Sequence, residues 1–525
     1  MTTSLVTKPI GAVGLFGLFF LGMVLVPLGC TNLDENPPSA ITPANFYRNQ
    51  GEVLSSLAGI YAQLRGTLDD YYNVSEISTD EMIVPTRGSD WYDGGQWLEL
   101  HHQTWTPVSP VGNGFGNGIW VTAFTGIARA NALLEVLPTL TFTSRDTVAA
   151  EARTLRAFYY YFLMDAFGGV PIATTTQIQA RPRATRDSVF RFIQSELTAA
   201  RAALPATWPA ENNGRMTQGG VDAILASMYL NAAVFDKDVG VSPTAYNSCT
   251  TVQIGSQNAC QAAIAAANNI LNSSAGYQLA DSFAQSFRAG NATSKENILV
   301  IKFAPVADIG LNFVMRSLHY NQYTPTPWNG FAILAETYNA FDAADRRRNV
   351  ILQGPQNNVE TGAPAKDRAG NPLVFTINIA DETQATEGEG PRLYKWPADA
   401  KHVAQNNGND YAWFRLGEIL LIKAEALNEL TPGDPTALAL VNQLRARPKE
   451  TVAPALAGPI TRDLILQERR FELTGEAKRR QDLIRHGKYT QAWGYKPASA
   501  AFRVLLPIPQ KQLDANPMLT QNPGY

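Results

Sequence analysis

The chain of 525 residues carries only three cysteines, Cys30, Cys249 and Cys260, and five histidines. Zinc sites and disulfide-built scaffolds need more of both at regular spacing. His101 and His102 are adjacent and so cannot share a helix face; His319, His402 and His486 stand alone. No metal and no cofactor is expected. Charge is also scarce, at 17% Asp, Glu, Lys and Arg with a net charge of −3. Nucleic-acid binding wants a one-sign basic patch, so it is not expected here. No H-E-x-x-H, G-x-S-x-G or Walker loop occurs. The glycine-rich stretch Gly112–Gly118 lacks G-x-G-x-x-G spacing, and it reads as a flexible loop rather than a phosphate cradle.

One long apolar run is present, from Ile10 to Gly29 after Lys8. About 20 apolar residues could span a bilayer, whereas a secretory signal normally has a shorter apolar region. Gly29-Cys30 at its end, followed by polar Thr31–Pro38, favours a lipoprotein signal over residues 1–29. Cleavage would leave Cys30 as a lipidated N-terminus, although Pro27 and Leu28 depart from the usual lipobox. Two or three acyl chains suffice for a stable anchor. Cys249 and Cys260 lie in a polar loop and at its helix boundary. In an oxidising compartment they can close a disulfide, worth about 3 kcal/mol in the chain-entropy model.

Helical periodicity dominates the remainder. Helices are expected over 45–64, 120–137, 147–167 and 186–204, and as pairs over 219–235 with 260–271 and 413–430 with 434–447. Thr185 is a candidate cap, and Gly168-Gly169-Val170-Pro171 a stop signal. Small residues at the crossings make the pairs read as degenerate tetratricopeptide units. Such units bury a core only by stacking. Residues 84–118 and 276–410 look irregular, with strands at Asn297–Phe303 and Phe375–Ile379. Within Leu464–Gly487, read as one helix, Glu468, Glu472 and Glu476 recur every four residues. Their repulsion demands arginines. Candidates are Arg469, Arg470, Arg479 and Arg480, with Arg153, Arg156, Arg415 and Arg445 from elsewhere. A buried carboxylate–guanidinium network is the expectation.

That same stretch, followed by Leu506-Pro507-Ile508-Pro509-Gln510 and a close on Asn516-Pro517 and Gln521–Tyr525, resembles the C-terminal signature of the SusD/RagB family. Further blocks match in order: Glu151–Tyr160, Phe167–Ile172, Gly214–Thr217, Arg415–Ala426 and Leu440–Arg447. The resemblance implies a mainly α, SusD-like fold: degenerate tetratricopeptide helix pairs, short strands and a loop-rich ligand-binding region. The helical scaffold would fill about 40–275 and 410–490 of a body spanning 30–525, and the ligand-binding parts about 84–118 and 276–410. It further implies a lipid-anchored outer-membrane protein facing the cell exterior. Such a protein hands a nutrient to a SusC-like TonB-dependent transporter, with an oligosaccharide as the leading ligand and a peptide as the alternative.

The residues add their own pointer, aromatics inside polar loops. Asp90, Trp91, Tyr92 and Trp97 share one loop; Tyr320, Tyr323, Trp328 and Asn329 share the other. A sugar ring stacks its C–H face on such rings, and its hydroxyls pair with nearby polar groups. Trp120, Trp413 and Tyr229 sit in helical pattern and read as core. Binding without bond cleavage is the reading adopted; a surface glycan hydrolase and a scaffold binding only protein are the alternatives.

Overall fold

The computed structural model describes residues 47–525, of which Asn49–Tyr525 form one contact unit. The signal region, Cys30 and the start of the body lie outside the described residues. Among the described residues no helix is long and apolar enough to cross a membrane.

The scaffold grows from paired helices. Helix α1 (Gln50–Gln63) and α2 (Asp70–Ile77) lead to α3 (Gln96–His102), α4 (Asn117–Val136) and α5 (Arg145–Phe167). Helix α6 (Arg186–Arg201) starts at Thr185, whose side chain accepts from the Ser188 amide. Then follow α7 (Gln218–Leu230), α8 (Ala259–Leu271), α9 (Leu416–Leu430), α10 (Pro435–Arg445), α11 (Arg462–Leu473) and α12 (Arg479–Arg485). Helix α5 packs on α4 and α6, α7 on α8, and α9 on α8, α10 and α11. The run Phe158–Phe162 on α5 is at most 1% exposed. Trp413 meets it edge-on, 4.8 Å from Phe162.

Several expectations shift by identifiable physics. Trp413 belongs to a strand, Tyr411–Arg415, paired antiparallel with Asn297–Ile301, and the helix starts only at Leu416. The strand expected over Phe375–Ile379 shrinks to Val374–Phe375. The glycine-rich loop is helical instead: Gly112–Gly116 makes a wide π-type turn that runs straight into α4. The stretch Leu464–Gly487 is two helices. The break holds Gly475 and Ala477 at positive φ. Its freed carbonyls are satisfied by cations: Lys395 Nζ donates to the Glu472 and Thr474 carbonyls, and Arg415 to that of Glu472. Positive charge at a helix C-terminus also suits the helix dipole.

The acidic ladder lies in a buried network. Glu472 accepts from Arg415 at 2.7 Å, Arg447 at 2.6 Å and Arg347 at 3.0 Å. Glu468 takes Arg347 and Arg445, and Glu476 takes Arg415 and Lys395. Burial alone would raise the Glu472 carboxyl, but the guanidiniums of Arg447, Arg415 and Arg347 hold it well below the usual range. Of the sequence candidates, Arg415 and Arg445 serve the ladder. Arg469 turns to Asp482, Arg470 and Arg479 to Asp80, Arg480 to Asp165, and Arg153 and Arg156 to Glu196. Cys249 and Cys260 are joined across a small hairpin at the start of α8.

Candidate functional site

A two-residue ladder sets the site. Met82–Ile83 pairs antiparallel with Ala332–Ile333. One aromatic loop leaves just after the first strand and the other ends just before the second, so they meet. The Trp91 indole donates to the Trp328 carbonyl at 2.6 Å. Trp91 also meets Trp97 and Phe331 edge-on at 5.3 and 5.8 Å. Gly330 makes this closeness possible, since a Cβ there would stand 2.3 Å from the Trp91 ring.

Around the rings lies a compact set of charges. The Tyr320 hydroxyl donates to Asp90; burial first, then that hydrogen bond, pushes it up to about 12. Arg368 lies 4.3 Å over the Tyr320 ring, pairs with Glu387 and stands 3.6 Å from Asp90. Burial would raise Glu387, but hydrogen bonds from the Arg368 side chain and backbone and from His319 hold it at about 2. Beneath, the buried guanidiniums of Arg87 and Arg392 grip the carbonyls of the turn Thr386–Gly390 that presents Glu387. A shallow recess of about 320 Å³, lined by Asp367, Val374, Thr386 and Glu387, adjoins the cluster.

The eight residues picked from sequence divide by burial. Tyr92 is 61% and Trp328 36% exposed, and Asp90, Trp91 and Tyr320 are half-buried. Trp97, Tyr323 and Asn329 are 6%, 3% and 0% exposed, so the expectation that they face a ligand is corrected. Trp97 packs between Trp91, Phe115 and Phe331. Tyr323 packs on His402, and Asn329 donates to the Glu387 carbonyl and accepts from Arg392. They pin the loops that the exposed rings ride on. Arg87, Arg368, Glu387 and Arg392 were missed, because the first three lie in loops without an aromatic signal, Arg392 opens the two-residue strand Arg392–Leu393, and all meet the rings only in space. His101, flagged with His102, is buried between the Ile77 and Gly494 carbonyls, and burial lowers it to about 4.

Ring faces next to a carboxylate and a guanidinium can hold a ligand that is apolar on one face and hydroxyl-rich at its edge. Acid–base chemistry on a glycosidic bond needs a carboxyl whose affinity for its proton is raised. Glu387 is held the opposite way.

Fold and site together define a mainly helical body that carries an aromatic, charge-bordered surface patch. Two family models match it in succession, one described as "Starch-binding associating with outer membrane" over residues 32–230 and one described as "SusD family" over 245–503. The chain belongs to the SusD family. It is 24% identical to SusD-like protein P2 of Formosa agariphila, over 97% of this chain and 99% of that protein. It is 22% identical to the starch-binding protein SusD of Bacteroides thetaiotaomicron, over 86% and 85%. Among solved structures, a laminarin binding SusD-like protein superposes with a TM-score of 0.71 at 23% identity, covering 91% of this chain and all of the other. Surface glycan-binding protein A from Bacteroides thetaiotaomicron, in complex with laminarihexaose, gives 0.68 at 21%, covering 90% and 99%. These superpositions show a common fold.

Proposed function

We propose that the protein binds an oligosaccharide at the cell surface, without cleaving it, and passes it to a SusC-like TonB-dependent transporter in the outer membrane. The observation that carries this reading is the meeting of Trp91, Tyr92, Tyr320 and Trp328 with Asp90, Arg368 and Glu387 on one exposed patch. The rings take the C–H faces of successive sugars; the carboxylates and guanidinium take their hydroxyls. Glu387, salt-bridged and held at about 2, is a hydrogen-bond acceptor here and not a general acid. Support comes also from relatives named for starch, laminarin and surface-glycan binding. The description of the matched family model points to the outer membrane, where lipidated Cys30 would anchor the chain.

The test is titration of the lipid-free protein against a panel of oligosaccharides and peptides, with reducing ends assayed in the same samples. Saturable binding of a glycan with no new reducing ends is expected. Release of reducing ends would establish a hydrolase; binding of peptides alone would move the ligand class. Purification from gently solubilised outer membranes should recover a TonB-dependent barrel, and repeated recovery of the lipoprotein alone would remove the delivery step.

A further inference from the structure

A second cleft opens on the helical scaffold, between residues 206–217 and 275–300, and shares no lining residue with the aromatic patch. Its floor is the start of α7, where Thr217 caps the helix by accepting from the Gly220 amide. Its far wall is the strand Asn297–Ile301. Gly214, at φ +94°, lets the two walls approach, since a Cβ there would stand 2.5 Å from the Lys302 side chain. The cavity holds about 190 Å³. That is below the roughly 300–1,000 Å³ of drug-sized pockets, so the room suits a single sugar unit rather than a chain.

The chemistry of the lining is specific. Trp208 and Tyr277 supply ring surface. The Tyr277 hydroxyl has Thr217 Oγ1 at 3.4 Å, a long contact that leaves its hydrogen-bonding capacity largely unspent. Asn297 uses its Nδ2 on the Ser286 and Asn291 carbonyls, while its buried Oδ1 has no partner. A buried acceptor without a donor is uncommon and calls for one. No aspartate or glutamate lines the cleft. Arg215 does line it, but its charge is matched by Glu151 through a paired contact and its guanidinium covers one face of Trp208 at 3.9 Å. Lys295 also lines it, is exposed, and has no salt-bridge partner among the described residues. One uncompensated ammonium and one available hydroxyl thus border a sugar-sized space with aromatic walls, while the orphan Asn297 oxygen lies sealed within the wall behind it.

We infer that this cleft is a second saccharide subsite, taking one acidic sugar unit with its carboxylate or sulfate toward Lys295 and a ring hydroxyl against the Tyr277 hydroxyl. The inference stands on this cleft alone and does not depend on what the aromatic patch binds.

Saturation-transfer NMR with glucuronic acid, glucose and glucose 6-sulfate at millimolar concentration tests it on the full mature chain. Lys295→Gln changes an exposed side chain and Tyr277→Phe removes only a hydroxyl, so both variants should fold, as circular dichroism will verify. Glucuronic acid, glucose 6-sulfate or both should receive transfer from the wild type and still receive it from Trp328→Ala, in which the aromatic patch has lost its exposed ring, and which of them does identifies the anion. Binding should weaken about five-fold in Lys295→Gln, the size of a single exposed charge contact, and glucose should bind weaker by a similar factor. No transfer to either acidic sugar in the wild type overturns the inference. So does transfer lost in Trp328→Ala, glucose binding as well as the acidic sugars, or acidic-sugar binding unchanged in both Lys295→Gln and Tyr277→Phe.

Discussion

Two tryptophans on the same patch should fail in opposite ways when truncated. Trp328 is 36% exposed and is held by its backbone: its amide donates to the Met315 carbonyl at 2.7 Å, and its own carbonyl accepts from Trp91. Trp328→Ala keeps those bonds and removes only the ring. The loss should appear in binding. A stacked tryptophan at a hot spot is worth at least about 2 kcal/mol, which is roughly thirty-fold in affinity. Stability should change by about 1 kcal/mol or less, as for most surface changes. Trp97 is 6% exposed and packs edge-on or tilted against Trp91, Phe115 and Phe331 within 5.1–5.5 Å. Its truncation opens a cavity and should cost about 3–5 kcal/mol of folding free energy. Calorimetric titration with the cognate glycan and urea unfolding, run on each variant, read both quantities. If Trp328→Ala binds like the wild type, the exposed ring does not meet ligand and the site is misplaced. If Trp97→Ala loses affinity yet unfolds at the wild-type midpoint, the burial argument is wrong.

Other outcomes follow from the same reasoning. Glu472→Ala leaves the Arg347, Arg415 and Arg447 guanidiniums facing a vacated carboxylate site. It should destabilise by about 3–5 kcal/mol, as for other broken buried pairs, in urea unfolding; a wild-type midpoint would show that the remaining carboxylates suffice. Burial lifts Glu81 from an ordinary 4.5 to about 7. A raised carboxyl contributes stability that is full below the unfolded value and lost as pH rises through the folded one. Stability should therefore fall as pH rises from the ordinary carboxylate range toward 7, with the neighbouring raised carboxyl of Glu76 contributing in the same direction, and Glu81→Gln should lessen that slope in melting curves taken across the range. Cys30→Ala should abolish incorporation of labelled fatty acid and release the protein from membranes; retained label would refute lipidation at Cys30, and a variant that also stays membrane-bound would favour a helical anchor.

The sequence by itself determined the helical scaffold, because amphipathic periodicity and caps such as Thr185 act within a few residues of where they are written. It also determined the family, since Leu464–Gly487 and the earlier blocks are local strings, and it singled out both aromatic loops. What it could not decide was which way each ring turns. Trp91 and Trp97 lie six positions apart in one polar stretch, yet Trp91 is half-buried at the surface while Trp97, in the first turn of α3, is core. That outcome depends on Phe331 and Gly330 arriving from far along the chain. Arg368 reaches Asp90 and Tyr320, and Glu387 reaches Arg368, only through loops brought alongside by the body of the fold. The acidic ladder shows the same division. Spacing demanded cations, but Arg347, Arg447 and Lys395 were chosen by packing, and the carbonyls that Lys395 and Arg415 satisfy allow the helix to break at Gly475. Local pattern fixes which elements form; burial of particular side chains, and the pairing of charges from distant segments, is a property of the assembled core.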